Sequence, residues 1–141
     1  MHFAISALLV LASALAVTSG HAVQVRYDTK YGDPTWSTLA TACSDGKNGL
    51  ATKGYPTLGS LKNFPNVGAS STIAGYNSKR CGECYKLYYG GKEIYVTAVD
   101  HSATGFVLSL AAMDELTGGL AVELGAITAG CVLAAPERCK M

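Results

Sequence analysis

Alternation of apolar and polar residues predicts most of the strands in this chain. Residues 23–27 alternate valine or tyrosine with polar side chains, a period of two that is typical of a strand with one buried face. Residues 86–89 and 92–99 are rich in apolar and aromatic side chains, and the two glycines between them predict a tight hairpin. Residues 105–108 and the apolar run 126–135 complete the predicted strands.

One helix is predicted, and its two ends carry the expected chemistry. Ser109 is placed to cap a helix that continues to about Leu116, and the pair Gly118 and Gly119 ends it. Residues 55–72 instead hold prolines and glycines without a clear period, which predicts a long irregular segment. Short strands, glycine turns and a single good helix together indicate a small β-barrel with few helices.

The first 22 residues have the pattern of a secretory signal peptide. They contain no Asp, Glu, Lys or Arg, and the apolar run 3–17 is too short to span a bilayer. Small residues at Gly20 and Ala22 predict cleavage after Ala22. We therefore expect a secreted, extracellular protein without a membrane span, whose mature part, residues 23–141, is a single domain.

The charge balance excludes one large class of partners. The formal net charge is +1, and the Lys and Arg residues are scattered along the chain rather than clustered. Nucleic-acid-binding domains concentrate basic residues on one surface. We therefore expect no nucleic acid partner.

Five cysteines narrow the chemistry further. Cys81 and Cys84 form a CxxC pair, which suits a redox couple, half of a zinc site, or two unrelated half-cystines. A zinc site needs a second pair of ligands and a thioredoxin-like couple needs a βαβ context, and both are missing. In an oxidising compartment the cysteines indicate a disulfide framework with one thiol left over. We expect no metal and no cofactor, and the residue pattern by itself leaves the pairing open.

Two acids stand where predicted strands end. Asp100 follows the strand 92–99 and Asp28 follows the strand 23–27. A polysaccharide hydrolase needs two carboxyl groups across its scissile bond, whereas an Asx-turn needs only one acid at a strand end. Ser102 beside His101 offers no nucleophile elbow, so no catalytic triad is expected.

Tyrosine is unusually frequent, with eight in the chain. Exposed tyrosine rings offer flat, partly polar platforms on which sugar rings stack, but tyrosine also fills half-buried strand positions. The count alone does not separate the two uses.

Five blocks of sequence, in this order, resemble the cerato-platanin family of small secreted fungal proteins. The resemblance covers essentially the whole mature chain, and the blocks are residues 25–28, 42–50, 55–59, 64–68 and 73–85.

The resemblance implies a fold that is mainly β with short helices, a six-stranded double-ψ β-barrel stapled by disulfides. It implies that Cys43 pairs with Cys81 and Cys84 with Cys139. Cys131 is extra to the family pattern, and its place in the closing strand predicts a buried free thiol. The alternative is an exposed thiol that dimerises the protein or competes for Cys84.

The resemblance also implies a function without catalytic residues. Members bind chitin or N-acetylglucosamine oligomers, loosen cell-wall polysaccharide, assemble at interfaces, occur in the fungal cell wall, and act as elicitors or phytotoxins toward plants through an unknown plant receptor. The expected carbohydrate-binding residues are Asp100, Asp28, Asp45, Tyr27 and Ser44. Two alternatives are a weak glycoside hydrolase that uses Asp100 and a surface-active structural wall protein that needs no sugar site.

Overall fold

The computed structural model describes residues 20–141, and within them the chain forms six strands and two short α-helices. The strands are β1 (His21–Tyr27), β2 (Val67–Ser70), β3 (Cys84–Tyr89), β4 (Lys92–His101), β5 (Phe106–Leu108) and β6 (Ala126–Ala134). The helices are α1 (Leu110–Thr117) and α2 (Ala121–Leu124), and short 3-10 helices are Thr29–Gly32, Thr38–Ala40, Leu58–Ser60 and Pro136–Cys139. Most of the predicted signal peptide lies outside the described residues.

The six strands close into a barrel in the order β1-β5-β2-β4-β3-β6. The pairs β1–β5 and β2–β4 are parallel, and the other four pairs are antiparallel. This confirms the expected fold, a mainly β, six-stranded barrel with few short helices. In this order β5 stands across the barrel from β3, so their outer faces point in opposite directions.

Alternate residues of the strands fill the barrel interior. Val25, Leu87, Val96, Phe106 and Leu108 are each at most 1% exposed. Burial of one such side chain contributes roughly 1.5–3 kcal/mol to stability. The period of two in the sequence therefore marks the core correctly where strands are long enough to show it.

Helix α1 forms where the sequence predicts it. The Ser109 hydroxyl accepts a hydrogen bond from the Ala112 N–H at 3.1 Å. Gly118 adopts a left-handed conformation, with φ of 69°, and ends the helix. Met113 and Leu116 are fully buried against the barrel. Within residues 20–141, no helix is long and apolar enough to cross a bilayer.

The prediction of an irregular segment over residues 55–72 was wrong in its last part, which contains β2. All four residues of Val67–Ser70 are buried, because β2 pairs with β4 on one side and β5 on the other. A fully buried strand of four residues shows no alternation. Gly68 is required here, because a Cβ at this position would overlap the Val107 carbonyl oxygen.

Two disulfides tie the loops to the barrel. Cys43 is bonded to Cys81 and Cys84 to Cys139, with sequence separations of 38 and 55, the pairing that the resemblance implies. Cys131 is a buried free cysteine, and burial raises the pKa of its thiol to about 11. The thiolate, the reactive form, is therefore scarce at neutral pH.

Candidate functional site

A β-bulge in β4 sets the direction of Asp100. In the pairing of β2 with β4, Gly68 lies opposite Ala98, but the next residue, Ala69, lies opposite Asp100. Val99 is the extra residue, and it is fully buried. Bulges of this kind re-aim the side chains that follow them. Asp100 consequently sits in the position next to Ala69 that Val99 would otherwise occupy.

Four strands contribute to one row of residues that ends at Asp100. Asp100 pairs with Ala69, Ala69 with Val107, and Val107 with Arg26. This row crosses an open groove of about 590 Å³ on the β1-β5-β2 side of the barrel. We call it the Asp100 groove; its lining includes Arg26, Tyr27, Asp28, Lys30, Tyr31 and His101.

The Asp100 carboxylate is held by three donors at the edge of the groove. Its Oδ2 accepts a hydrogen bond from the Tyr31 hydroxyl at 2.8 Å. Its Oδ1 accepts hydrogen bonds from the backbone N–H groups of Ala42 and His101, each at 2.8 Å. The carboxylate thus lies behind two lining residues, Tyr31 and His101, and ties the loop at Ala42 to the barrel.

Tyr31 is the residue of this site that the sequence analysis missed. Its side chain is 3% exposed, and burial and the hydrogen bond to Asp100 raise its pKa well above the ordinary value. The phenol therefore stays a hydrogen-bond donor across the physiological pH range. No local sequence signal marks Tyr31, because its hydrogen bond to Asp100 joins residues 69 positions apart.

Asp28 stands at the rim of the groove, next to Tyr27. Its Oδ1 accepts the Lys30 N–H at 3.0 Å, so the Asx-turn alternative describes its backbone role. Lys30 Nζ also lies 4.0 Å from Asp28 Oδ2, and both side chains remain partly exposed. Tyr27 is partly buried and lines the same groove. The structure thus brings Tyr27, Asp28 and Asp100 to one region.

Of the five predicted binding residues, Tyr27 and Asp28 line this groove, Asp100 lies behind its wall, and Asp45 and Ser44 do not line it. The Asp45 carboxylate accepts a hydrogen bond at 2.8 Å from the hydroxyl of Tyr76, whose side chain is 64% exposed. Ser44 is only 8% exposed, and its carbonyl accepts the Ala51 N–H. Their part in sugar binding stays a prediction.

The neighbouring Ser102 and His101 do not form a nucleophile and base. The Ser102 hydroxyl donates to the Thr104 carbonyl at 3.0 Å, and His101 Nδ1 lies 2.6 Å from the Ile73 carbonyl oxygen. Within residues 20–141, no group of three or more His, Cys, Asp and Glu side chains is placed to hold a metal ion. What the groove offers is a set of hydrogen-bonding groups beside a tyrosine ring.

The sequence matches a known family over the whole described domain. Residues 23–141 match the family model Cerato-platanin. A relative, the heat-stable 19 kDa antigen of Coccidioides immitis, is 44% identical over 124 residues, which cover 88% of this chain and 85% of that protein.

Solved structures of similar proteins have the same barrel. Cerato-platanin 1 from M. perniciosa has a TM-score of 0.82 and 47% identity, covering 84% of this chain and 100% of that one. The solution structure of the fungal elicitor Cerato-Platanin has a TM-score of 0.76 and 35% identity, covering 83% of this chain and 96% of that one.

Proposed function

This chain belongs to the cerato-platanin family, and from that premise we propose that it binds chitin-type N-acetylglucosamine oligomers in the Asp100 groove without cleaving them. Proteins of this family are secreted fungal proteins and are generally regarded as non-enzymatic. In our proposal the mature protein is secreted, is retained in part in the fungal cell wall, and loosens cell-wall polysaccharide by competing for contacts between chains.

The observation that carries this proposal is the set of polar groups and a tyrosine ring along one open groove. Sugar hydroxyl and acetamido groups need donors and acceptors at defined positions, and a pyranose ring packs on an aromatic side chain. Arg26 and Lys30 supply donors, Asp28 supplies acceptor oxygens, and Tyr27 supplies the ring. Asp100 holds the Tyr31 hydroxyl and keeps a remaining acceptor position on Oδ2, and Lys30 Nζ lies 5.1 Å from the centre of the Tyr31 ring.

The geometry supports binding over hydrolysis. A general acid must present a proton to the glycosidic oxygen. Asp100 instead presents acceptor oxygens to three donors, and Asp28 is engaged by the Lys30 N–H. The groove is an open surface depression rather than a closed cleft, so water is not excluded from it.

Binding of cell-wall fragments is also consistent with the response of plants that we propose for this protein. A structural neighbour is described as a fungal elicitor. We propose that this protein likewise acts as an elicitor or phytotoxin, through a plant receptor that perceives it at the wall. Assembly at interfaces and sugar binding are compatible, because a film requires no sugar site.

Calorimetric titration with N-acetylglucosamine oligomers tests the binding proposal. We expect the mature protein to bind, Asp100→Ala to bind roughly tenfold or more weakly, and Tyr31→Phe to lose part of the affinity. Tyr76→Phe, outside the groove, is the matched control. Circular dichroism establishes that each variant is folded. Equal affinity of folded Asp100→Ala and the native sequence would contradict the proposal.

A second assay addresses the hydrolase alternative. Reducing sugar released from β-glucan is measured for the native protein and for Asp100→Asn. We expect no release above background from either. Release by the native protein that disappears in Asp100→Asn would replace our proposal with glycoside hydrolysis.

A further inference from the structure

The interior of the barrel is open at the end where β1 begins. Residues directly opposite each other in an antiparallel pair share one face of the sheet, and Leu133 lies opposite Tyr85, which is buried in the barrel. Leu133 therefore belongs to the inward-facing row of β6. Within residues 20–141, β1 pairs with β6 only as far as His21 opposite Cys131, so β1 does not cover Leu133. Leu133 is consequently 58% exposed although it faces inward.

A cavity of about 380 Å³ lies at this open end of the barrel. We call it the barrel-end cavity, and its apolar and aromatic lining residues are Val23, Tyr85, Phe106, Cys131 and Leu133. The buried rings of Tyr85 and Phe106 meet edge to face, with their centroids 5.4 Å apart. Small-molecule sites typically have a volume of this order and a mainly apolar lining with a few polar groups.

The polar groups of the barrel-end cavity lie at its mouth. They belong to four exposed residues, His21, Ser71, Thr72 and Arg80. Arg80 Nη1 lies 3.3 Å from Glu83 Oε2, and these two charges balance each other. A guanidinium group has five N–H donors, so Arg80 keeps donors for a second carboxylate.

The predicted cleavage after Ala22 changes the mouth in two ways. It removes His21 from the lining, which widens the entrance. It also creates an amino group on Val23, whose nitrogen is two bonds from the Cβ of a side chain that lines the cavity. An α-amino group has a pKa of about 8 and is mostly protonated at neutral pH. This ammonium is the surplus positive charge at the mouth, because Glu83 balances Arg80.

We propose that the barrel-end cavity of the mature protein binds a linear fatty acid. The hydrocarbon chain lies between Val23 and Leu133 and packs on the rings of Tyr85 and Phe106. The carboxylate stays at the mouth, where the Val23 ammonium and the Arg80 guanidinium pair with it. This inference goes beyond the proposed function and does not depend on it, because no residue that lines the barrel-end cavity lines the Asp100 groove.

Calorimetric titration of the mature protein, residues 23–141, with hexanoate, octanoate and decanoate below their micelle concentrations tests the proposal. Because each added methylene is buried, we expect the affinity to rise roughly threefold per methylene. The uncharged 1-octanol has the same chain length as octanoate and is expected to bind roughly tenfold more weakly. Absence of binding, affinity that does not depend on chain length, or equal affinity for 1-octanol and octanoate would each overturn the proposal.

An acid placed at the mouth tests the position of the chain. Leu133 is already 58% exposed, so Leu133→Asp is expected to fold, and its carboxylate repels the ligand and removes apolar surface. We expect at least a roughly tenfold loss of octanoate affinity. Leu39→Asp is the matched control, because Leu39 is 62% exposed and lies outside the cavity. With both variants folded by circular dichroism, an equal loss in the two would overturn the proposal.

Charge removal tests the position of the carboxylate. Arg80→Gln is expected to weaken octanoate binding roughly tenfold and to leave 1-octanol binding nearly unchanged. The double variant Arg80→Gln/Glu83→Gln separates lost attraction from repulsion by an unpaired Glu83. Octanoate affinity as weak as in the single variant supports a direct contact with Arg80, whereas native affinity in the double variant overturns that contact.

The role of processing is tested with a protein that begins at Gly20. This protein keeps His21 at the mouth and carries its amino group three residues before Val23. We expect roughly fivefold weaker octanoate binding than in the mature protein, and equal affinity would overturn the contribution of the Val23 ammonium.

Asp100→Ala separates this proposal from the sugar-binding proposal. Octanoate affinity that stays native in Asp100→Ala supports an independent site, whatever that variant does to N-acetylglucosamine binding. Octanoate affinity lost in folded Asp100→Ala would overturn the barrel-end site.

Discussion

The two faces of the barrel achieve fixed surfaces by different means. On the Asp100 side, hydrogen bonds from Tyr31 and from the loop at Ala42 hold a carboxylate whose direction a bulge sets. On the Tyr88 side, a ring lies on a glycine and no such network is needed. The comparison shows that loop contacts position the Asp100 carboxylate, whereas strand register alone places the Tyr88 ring over Gly130.

The largest expected effect comes from removing the disulfide next to the groove. The double variant Cys43→Ala/Cys81→Ala releases the loop that donates the Ala42 N–H to Asp100. A loop of this length predicts a loss of up to roughly 4 kcal/mol of stability. Urea denaturation followed by circular dichroism measures it.

The matched control is Cys84→Ala/Cys139→Ala, whose bond closes a comparable loop away from the groove. We expect a similar loss of stability in this variant. At temperatures where both variants are folded, only the first is expected to lose affinity for N-acetylglucosamine oligomers. Equal loss of affinity in both would show that the loop at Ala42 has no special role.

The same conservative substitution on the two faces gives the next largest effect. Tyr31→Phe removes a donor to a carboxylate and is expected to cost about 2 kcal/mol. Tyr88→Phe removes a hydroxyl that has no hydrogen-bond partner within residues 20–141, and a change below about 0.5 kcal/mol is expected. Thermal and urea denaturation compare the two, and equal costs would refute the contrast between the faces.

Stability at alkaline pH tests the environment of two buried titratable residues, Cys131 and Tyr85. Burial raises the pKa of Cys131 to about 11 from an ordinary value of 9.0, and burial with the Glu83 hydrogen bond raises that of Tyr85 to about 12. Because both folded-state values are raised, their contributions are fully present below about pH 9 and are lost as pH rises through the folded values.

For Cys131 alone the expected loss is about 1 kcal/mol at pH 10. The variant Cys131→Ala is expected to be less stable at pH 8 but to lose less stability between pH 8 and pH 10 than the native protein does. Urea midpoints at the two pH values provide the measurement. A parallel decline in both proteins would show that the thiol titrates as it does in the unfolded chain.

The smallest expected effect concerns Asp45. Because Asp45 bonds to Tyr76 and does not line the Asp100 groove, Asp45→Ala is expected to change affinity for N-acetylglucosamine oligomers by at most about twofold. Titration beside Asp100→Ala provides the scale. A loss in Asp45→Ala that matches the loss in Asp100→Ala would extend the binding surface across the loop to Tyr76.

Sequence reasoning predicted the regular part of this fold because long strands and a capped helix have local signals. The alternation over residues 23–27, the glycine pair of the hairpin and the Ser109 cap each act through neighbouring residues. Strand β2 was not predicted, because its four residues are buried by partners distant in sequence.

The candidate site was only partly predictable for the same reason. Asp100 and Asp28 were found as acids at strand ends, but the contact of Asp100 with Tyr31 joins residues 69 positions apart. The bulge at Val99 and the position of Tyr88 over Gly130 depend on pairing registers. Hydrogen bonds and registers of this kind are properties of the closed barrel and leave no local pattern.

The most direct test is an NMR titration of the ¹⁵N-labelled mature protein with an N-acetylglucosamine oligomer. We predict that the ligand shifts amide signals around Asp28, Ala69 and Asp100 and leaves those around Tyr88 and Val132 unchanged. Absence of shifts in the groove, or shifts centred on Tyr88 and Val132, would contradict this prediction.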